Sequence, residues 1–460
     1  MHNILQAFTL SNIPLYQWRK SSFLYRIVSF LNDWKNQSWL LQWSEAIGGI
    51  IISIILILSP FVSTTLIGVL LLMAGAFWGL LLISEKATFG GTPIHILVFL
   101  YWSCAVIATA FSPVKKASIS GLIELTLYCF MFAICAKIFR STTVRNWVIT
   151  IFLLTSLIVS SYGIRQEYFG VEQLATWNDP TSLLAGDTRV YSYLGNPNLL
   201  ASYLLPAIAL SLGAIIIWKN WLPKALAVTM FMVNTACLYF TDSRGGWMAT
   251  AVLLTIFFTF IYFWYRENLS PFWRAFLIPF VVGIISILFV FAFLRVESLR
   301  IRLLSIFIGR EDSSNNFRIN VWESVIEMIK DYPITGIGIG HDSFNKIYPL
   351  YMKTDFTALS AYSIYLETIL EMGFLGFSSF IWLLIVTLNQ GIVQIKKLKE
   401  NQNLQAFWLI AAIAACGGLL THGFADTVWY RPQVNTLWWM MIALIASQYQ
   451  ALDPLQEEEN

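Results

Sequence analysis

The stretch RVESLRIRLLSIFIGREDSSNNFRINVWESVIEMIKDYPITGIGIGHDSFNKIYPLYMKTDFTALSA, residues 295–361, interrupts a chain that is otherwise a succession of long apolar runs. It is the one long polar insert between such runs, so it sets how they must be arranged. Within it, Phe317, Val321, Trp322, Val325, Met328 and Ile329 recur at helical spacing. The pattern predicts an amphipathic helix from Phe317 to Asp331, capped by Asn315 or Asn316 and stopped by Pro333. Its apolar face needs a partner, and the rim of a helical bundle supplies one. A second short helix is expected from near Asp342 towards Met352. The glycines between Thr335 and Gly340 do not follow a strand of a βαβ unit, so they read as a tight turn after Pro333 rather than a dinucleotide loop.

Outward from this insert the chain is 57% hydrophobic and 12% charged. Soluble domains carry about 25% charged residues. The fold class expected is therefore an all-α polytopic membrane protein. A bilayer core takes roughly 20 apolar residues per helix, and twelve runs qualify, near 46–62, 64–84, 93–111, 119–139, 147–164, 198–218, 222–241, 246–265, 273–294, 362–388, 404–424 and 434–450. The runs are unbroken, whereas strands of a membrane barrel alternate with period two. Lys and Arg outside the long insert concentrate on the side that holds the N-terminus. The positive-inside rule then puts both termini in the cytoplasm and residues 295–361 outside. No cleavable signal peptide is expected.

The organisation expected is a cytoplasmic amphipathic segment over 1–45, membrane domain over 46–294, the extracytoplasmic loop over 295–361, membrane domain again over 362–450, and an acidic cytoplasmic tail over 451–460. The first segment mixes Arg19, Lys20, Arg26 and Lys35 with Trp18, Trp34, Trp39 and Trp43, the composition of a helix lying on a membrane surface. No internal repeat is evident, and Pro206 and Gly213 are the candidates for a broken helix. Cys104, Cys129, Cys135, Cys237 and Cys416 fall inside apolar runs without metal-site spacing. No metal, cofactor or nucleic-acid partner is expected, and membrane lipid is.

Charge within apolar runs is costly, on the order of 2.5–3.5 kcal/mol per group on insertion scales, so its placement carries information. Glu124, Arg165, Arg189, Asp242, Arg244, Glu367, Glu371, His422, Asp426 and Arg431 all fall in the outer half of the predicted topology or beyond it. They imply a polar cavity open to the outside, with arginines suited to phosphate or carboxylate through their planar fork. Structural readings compete with this one. Arg244 can pair with Asp242 or a nearby glutamate. Glu367 and Glu371, one turn apart, can bind a cation or hold an arginine. His422 and Asp426 at i, i+4 can handle a proton or close a helix end, and His341 reads as a turn residue.

Three segments in order resemble the O-antigen ligase and polymerase superfamily of bacterial membrane proteins. They are Arg189 with Gly195-Asn196-Pro197-Asn198 and Ala201, then Thr241-Asp242-Ser243-Arg244-Gly245-Gly246, then Arg318 and Trp322 through Pro333, Gly336, Gly338 and Phe344 to Tyr365-Leu366-Glu367, Glu371, Gly373 and Gly376. The resemblance implies a protein of the bacterial inner membrane acting on a polyprenyl-diphosphate-linked glycan at its outer face, without a nucleotide sugar. It implies diphosphate-binding roles for Arg189 and Arg244, with Arg318 a further anion-binding candidate. The position of the ligases' acceptor-activating histidine falls on Tyr362, with Ser363 following it. Tyr ionises near pH 10 and makes a poor base at neutral pH, which leaves Glu367 and His422 as replacements. The stretch from Leu359 to Glu367 resembles a cyanobacterial group named for inorganic-carbon (bicarbonate) transport, the IctB family. That likeness implies bicarbonate capture for inorganic-carbon accumulation as the first reading. Glycan ligation or polymerisation is the alternative, and a noncatalytic place in an envelope complex the third.

Overall fold

The computed structural model describes residues 8–10, 34, 38–84, 91–171, 189–295, 297–305 and 307–449. Most of the expected amphipathic N-terminal segment and the whole 451–460 tail lie outside them. Among the described residues there are helices and no strands. In chain order the helices are α1 Ser44–Leu58, α2 Thr64–Ser84, α3 Pro93–Phe111, α4 Lys115–Ile138, α5 Thr142–Phe169, α6 Pro197–Ile217, α7 Trp221–Phe240, α8 Arg244–Tyr265, α9 Pro271–Arg295, α10 Glu297–Leu304, α11 Ser313–Asp331, α12 His341–Ile347, α13 Ile364–Glu400, α14 Ala406–His422 and α15 Pro432–Ser447.

Each of the twelve apolar runs falls on a helix. Eight helices, α2 to α8 and α13, are long and apolar enough to cross a membrane, and α1 and α14 are shorter apolar helices. Burial separates centre from rim. The apolar window of α6 is 89% buried and that of α2 28%. α6, α14 and α15 form the middle of the bundle, with α8 against α14 and α4 against α15. Their small residues, Ala207, Ala209, Ala411, Ala412, Ala414 and Ala415, are fully buried. Small side chains let helix backbones approach, which is how helices associate where lipid removes the hydrophobic drive. α2 instead exposes Leu72 and Met73.

Pro206 sits inside an unbroken α6. The break expected there is found in α13, where Gly373 has φ 63° and ψ −173°. The carbonyls it frees do not go unpaired. Ile337 N donates to Leu370 O at 2.8 Å and Gly338 N to Glu371 O at 3.0 Å, while Phe374 N donates to Pro333 O at 2.8 Å. The glycine run after Pro333 is therefore more than a turn, because its backbone caps a broken helix. Non-helical backbone among apolar helices is tolerated where protein satisfies it in this way. Gly373 is also sterically required, since a Cβ there would sit 2.0 Å from Ile334 O.

The amphipathic helix is longer at its start than its sequence pattern suggests. Asp312, not Asn315 or Asn316, caps α11 by accepting from Asn315 N at 2.9 Å. The Asp312 carboxylate, one turn earlier, does the capping, and Asn315 enters the helix. The apolar face, Val321, Val325 and Met328, is fully buried against Ile337, Phe344, Ala361 and Leu370. This is a second, small core that clamps the insert onto the start of α13.

Candidate functional site

The starts of α4, α6, α8, α13 and α15 and the ends of α3, α7 and α14 meet at the end of the bundle that carries the insert. Contacts across it establish this: Ser112 Oγ donates to Ile337 O at 2.6 Å, Asn198 Nδ2 to Asp426 Oδ2 at 2.7 Å and Arg318 Nε to Ala425 O at 2.9 Å. Helix N-termini present unpaired N–H groups and a partial positive charge, which the C-termini of α3, α7 and α14 oppose at the same end, so the side chains decide its charge.

Local sequence places the arginines. In Asn196-Pro197-Asn198, Asn196 caps α6 by accepting from Asn198 N at 2.8 Å and Leu199 N at 3.2 Å, and Pro197 supplies the preset φ of a first helical residue. Asn198 then points its amide into the cluster. In Asp242-Ser243-Arg244, Asp242 adopts φ 53°, a left-handed conformation that Asp tolerates better than most residues. Ser243 caps α8 by accepting from Gly246 N at 3.2 Å. Arg244 is the first residue of that helix.

Arg189, Arg244 and Arg318 come together, joined by Arg302, which sequence reasoning missed. Arg244 does not pair with Asp242. Its Nη2 lies 3.1 Å from Asp312 Oδ1 and its Nη1 donates to Ser305 Oγ at 2.8 Å. Asp242 pairs instead with Arg302, at 3.1 Å. Asp242 leaves the helix axis at its left-handed turn and so faces α10, whereas Arg244 faces the start of α11. Asp312 and Arg302 carried no spacing signal, since both lie in an insert whose path was unknown. Arg189 Nε donates to Thr241 O at 3.2 Å, and its Nη2 lies 3.5 Å from Asn198 Oδ1. Burial pushes its guanidinium down to about 10, and Arg302, Arg244 and Arg318 add to this while Asp242 opposes it.

Arg318 is the most telling. It donates to Ala425 O and, at 2.6 Å, to Ser314 Oγ. Among the described residues no carboxylate lies within ion-pair distance of it. Burial lowers its pKa, partly offset by Asp426. A half-buried guanidinium held only by neutral oxygens keeps its charge available for a ligand.

The other candidates divide. His422 is buried between two serines, 3.1 Å from Ser202 Oγ at Nδ1 and 3.3 Å from Ser243 Oγ at Nε2. It forms no pair with Asp426, because α14 ends at His422 and the chain turns. Asp426 accepts from Asn198 and from Thr427 N. Arg431 is exposed, with its guanidinium 5.0 Å from the Tyr430 ring. Arg165 lies apart, exposed over Tyr162 and Phe169.

Tyr362 lies just before α13 with φ 49°, edge-on to Phe317 at 5.4 Å, and Trp322 Nε1 donates to its carbonyl at 3.3 Å. It is a packed residue rather than a water-facing one. Burial pushes its hydroxyl up to about 12, reinforced by Asp426. Glu367 and Glu371 hold no arginine. Glu371 accepts from Gly340 N at 2.8 Å, and Glu367 engages Thr427 and the Ala361 backbone. His341 is the first residue of α12 and stacks on Tyr430, with ring centroids 5.8 Å apart.

Residues 225–381 match the family model Wzy_C, described as O-Antigen ligase. The matched segment runs from α7 into α13 and contains Asp242, Arg244, Arg302, Asp312, Arg318, Tyr362, Glu367 and Glu371. Arg189, His422, Asp426 and Arg431 lie outside it. No curated protein matches the chain. The likeness is to the O-antigen ligase superfamily, and nothing in it or in the fold speaks for bicarbonate transport.

Proposed function

We propose that the chain transfers a glycan from a polyprenyl-diphosphate carrier to an acceptor hydroxyl. The observation that carries this is Arg318, a half-buried cation with no carboxylate within ion-pair distance among the described residues, set beside Arg189, Arg244 and Arg302. Among the described residues these guanidiniums gather near three aspartates, Asp242, Asp312 and Asp426. A diphosphate is the anion whose size and charge suit several guanidiniums at once, each able to donate two parallel hydrogen bonds. As the bond between the anomeric carbon and the diphosphate oxygen breaks, negative charge grows on the leaving group. Donors already in place at that position lower the barrier, typically by about 10²–10³ in rate per donor. Arg244 and Arg302 reach the ligand by exchanging an aspartate for phosphate oxygens. The family match over residues 225–381 supports the same reading.

In this reading α1, α9, α14 and α15 also cross the membrane, giving twelve spans in a bacterial inner membrane. Both termini are cytoplasmic, and the arginine cluster with residues 295–361 is extracytoplasmic. The lipid tail of the donor lies along the rim, and its diphosphate enters at the helix N-termini. Purified protein in proteoliposomes, given a polyprenyl-diphosphate oligosaccharide and an acceptor glycan, is expected to release free polyprenyl diphosphate. Arg189→Ala and Arg244→Ala are expected to reduce that release strongly while inserting normally. Bicarbonate uptake by the same proteoliposomes, with no carrier release, would overturn the proposal.

A further inference from the structure

A second polar feature sits beside the arginines and takes no part in holding the anion. Glu124 on α4 and Glu367 and Glu371 on α13 line a cavity of about 100 Å³ with Tyr101, His341 and Tyr430. No lysine or arginine lines it. Glu371 is engaged by Gly340 N. Glu367 is engaged on one side by Thr427 and Ala361, yet its Oε2 is shut off from solvent and has no hydrogen-bond partner. His341 Nδ1 is likewise buried and unpartnered. The rings of His341 and Tyr430 stack on one another, 16° from parallel, and close one side of the cavity.

Carboxyl oxygens accept hydrogen bonds from hydroxyl groups. A small polar chamber with carboxyl groups on one side and aromatic rings on the other suits a ring that carries hydroxyl groups at its edge and C–H groups on its face. The chamber adjoins the arginine cluster by covalent and hydrogen-bonded links. Thr427, on its wall, donates its N–H to Asp426 Oδ1 at 2.8 Å. Asp426 Oδ2 takes the Asn198 amide at 2.7 Å, and Asn198 is the residue beside Arg189. On the other side Ala361, which Glu367 engages, is followed by Tyr362, a neighbour of Arg318.

We propose that this cavity is the acceptor-sugar subsite and that Glu367 is the general base, a claim resting on the glycan-transfer reading. The acceptor hydroxyl gives its proton to the Glu367 carboxylate as its oxygen bonds to the donor's anomeric carbon. The bond from that carbon to the diphosphate oxygen breaks, and its electron pair leaves with the polyprenyl diphosphate held by the arginines. Glu367 then passes the proton to water. One glycosidic bond forms for each glycosyl–phosphate bond broken, and no redox partner or metal enters the balance. The two other candidates, His422 and Tyr362, do not line this cavity.

Two experiments test this. With the lipid-linked donor and an acceptor glycan, Glu367→Gln is expected to lower kcat by about 10²–10⁴. Its KM for the donor stays unchanged and the acid limb of the pH–rate profile disappears. Glu367→Asp keeps a carboxyl group and is expected to retain part of the rate, which separates lost chemistry from lost folding. A wild-type rate in Glu367→Gln overturns the base assignment and leaves the transfer reading intact. The second readout needs no turnover. Full-length protein in nanodiscs is treated with a hydrophobic carbodiimide, and adducts are mapped by mass spectrometry with and without glucose, galactose, mannose, N-acetylglucosamine or rhamnose. Glu367 is expected to be labelled and at least one sugar to shield it, with shielding lost in Tyr430→Ala. Equal labelling under every sugar overturns the subsite. Shielding in a protein that turns over no lipid-linked donor keeps the subsite and removes glycan transfer as its use.

Discussion

The two ends of the bundle hold buried cations in opposite ways. At the end away from the insert, Arg145 donates to Phe139 O at 2.9 Å and to Gln405 Oε1 at 2.6 Å, tying the start of α5 to the approach to α14. Trp408 Nε1 donates to Asn146 Oδ1 at 2.7 Å beside it, and Lys399 reaches Phe263 O and Glu267. These bonds close helix termini and join neighbouring helices. At the insert end, by contrast, arginines from four separate segments crowd together, near enough to Arg189 to depress its basicity. Left-handed backbone occurs at both ends, at Ser192, Asp242 and Tyr362 here and at Gln402, beside Gln405, at the other. Like charges drawn together at one end, and cations tied to carbonyl and amide oxygens of neighbouring helices at the other, distinguish a binding surface from a structural lock better than the number of charges does.

Substitutions that separate the two ends test the contrast. The largest effect is expected from Gly373→Val. The Cβ clash with Ile334 O and the positive φ together remove the break that joins insert to bundle. Yield of monodisperse protein in detergent should collapse, and a well-folded Gly373→Val would show that the break is dispensable. Next is Arg318→Ala, expected to lower transfer by about 100-fold or more with little change in thermal midpoint. Arg318→Lys should recover only part, because an ammonium lacks the planar fork. A parallel fall in stability would reassign Arg318 to the structural class.

Arg145→Ala should do the reverse. Stranding the partners of a buried guanidinium costs about 1–3 kcal/mol, read as a lowered thermal midpoint, while the rate per folded molecule is unchanged. The smallest effect concerns Tyr362. Its hydroxyl ionises near 10 in the unfolded chain and at about 12 in the folded one. The protonated form is therefore favoured by folding. The resulting stability is complete below pH 10 and lost as pH rises from 10 towards 12. Tyr362→Phe should flatten that alkaline loss and leave neutral-pH stability nearly unaltered.

The helices were legible because twelve apolar runs outlast any turn signal, and α11 because its apolar residues keep helical spacing. The break at Gly373 was not, since Glu371-Met372-Gly373-Phe374-Leu375 reads as an ordinary helical run and only the docked backbone of residues 333–338 opens it. Arg189 and Arg244 could be singled out as cations at the ends of apolar runs, and Arg318 by the family resemblance. Their partners could not, because Asp312 and Arg302 depend on how the insert folds back. Asp242 and Arg244 are two residues apart and look like a pair, yet the left-handed turn between α7 and α8 sends them to different neighbours. Glu367 and Glu371 suggested a counter-ion, but one turn of helix spacing says nothing of what faces it, and here it is a chamber without one.

The backbone bonds from Ile337 and Gly338 to Leu370 and Glu371 have a mechanical consequence. They splice residues 364–372 to the insert more firmly than to the remainder of α13, from which Gly373 uncouples them. The segment that bears both glutamates is thus held by the insert through its backbone and by α14 through Ile364 N to Gly423 O at 2.8 Å. A ligand bound against residues 333–340 acts directly on the backbone partners of Glu371.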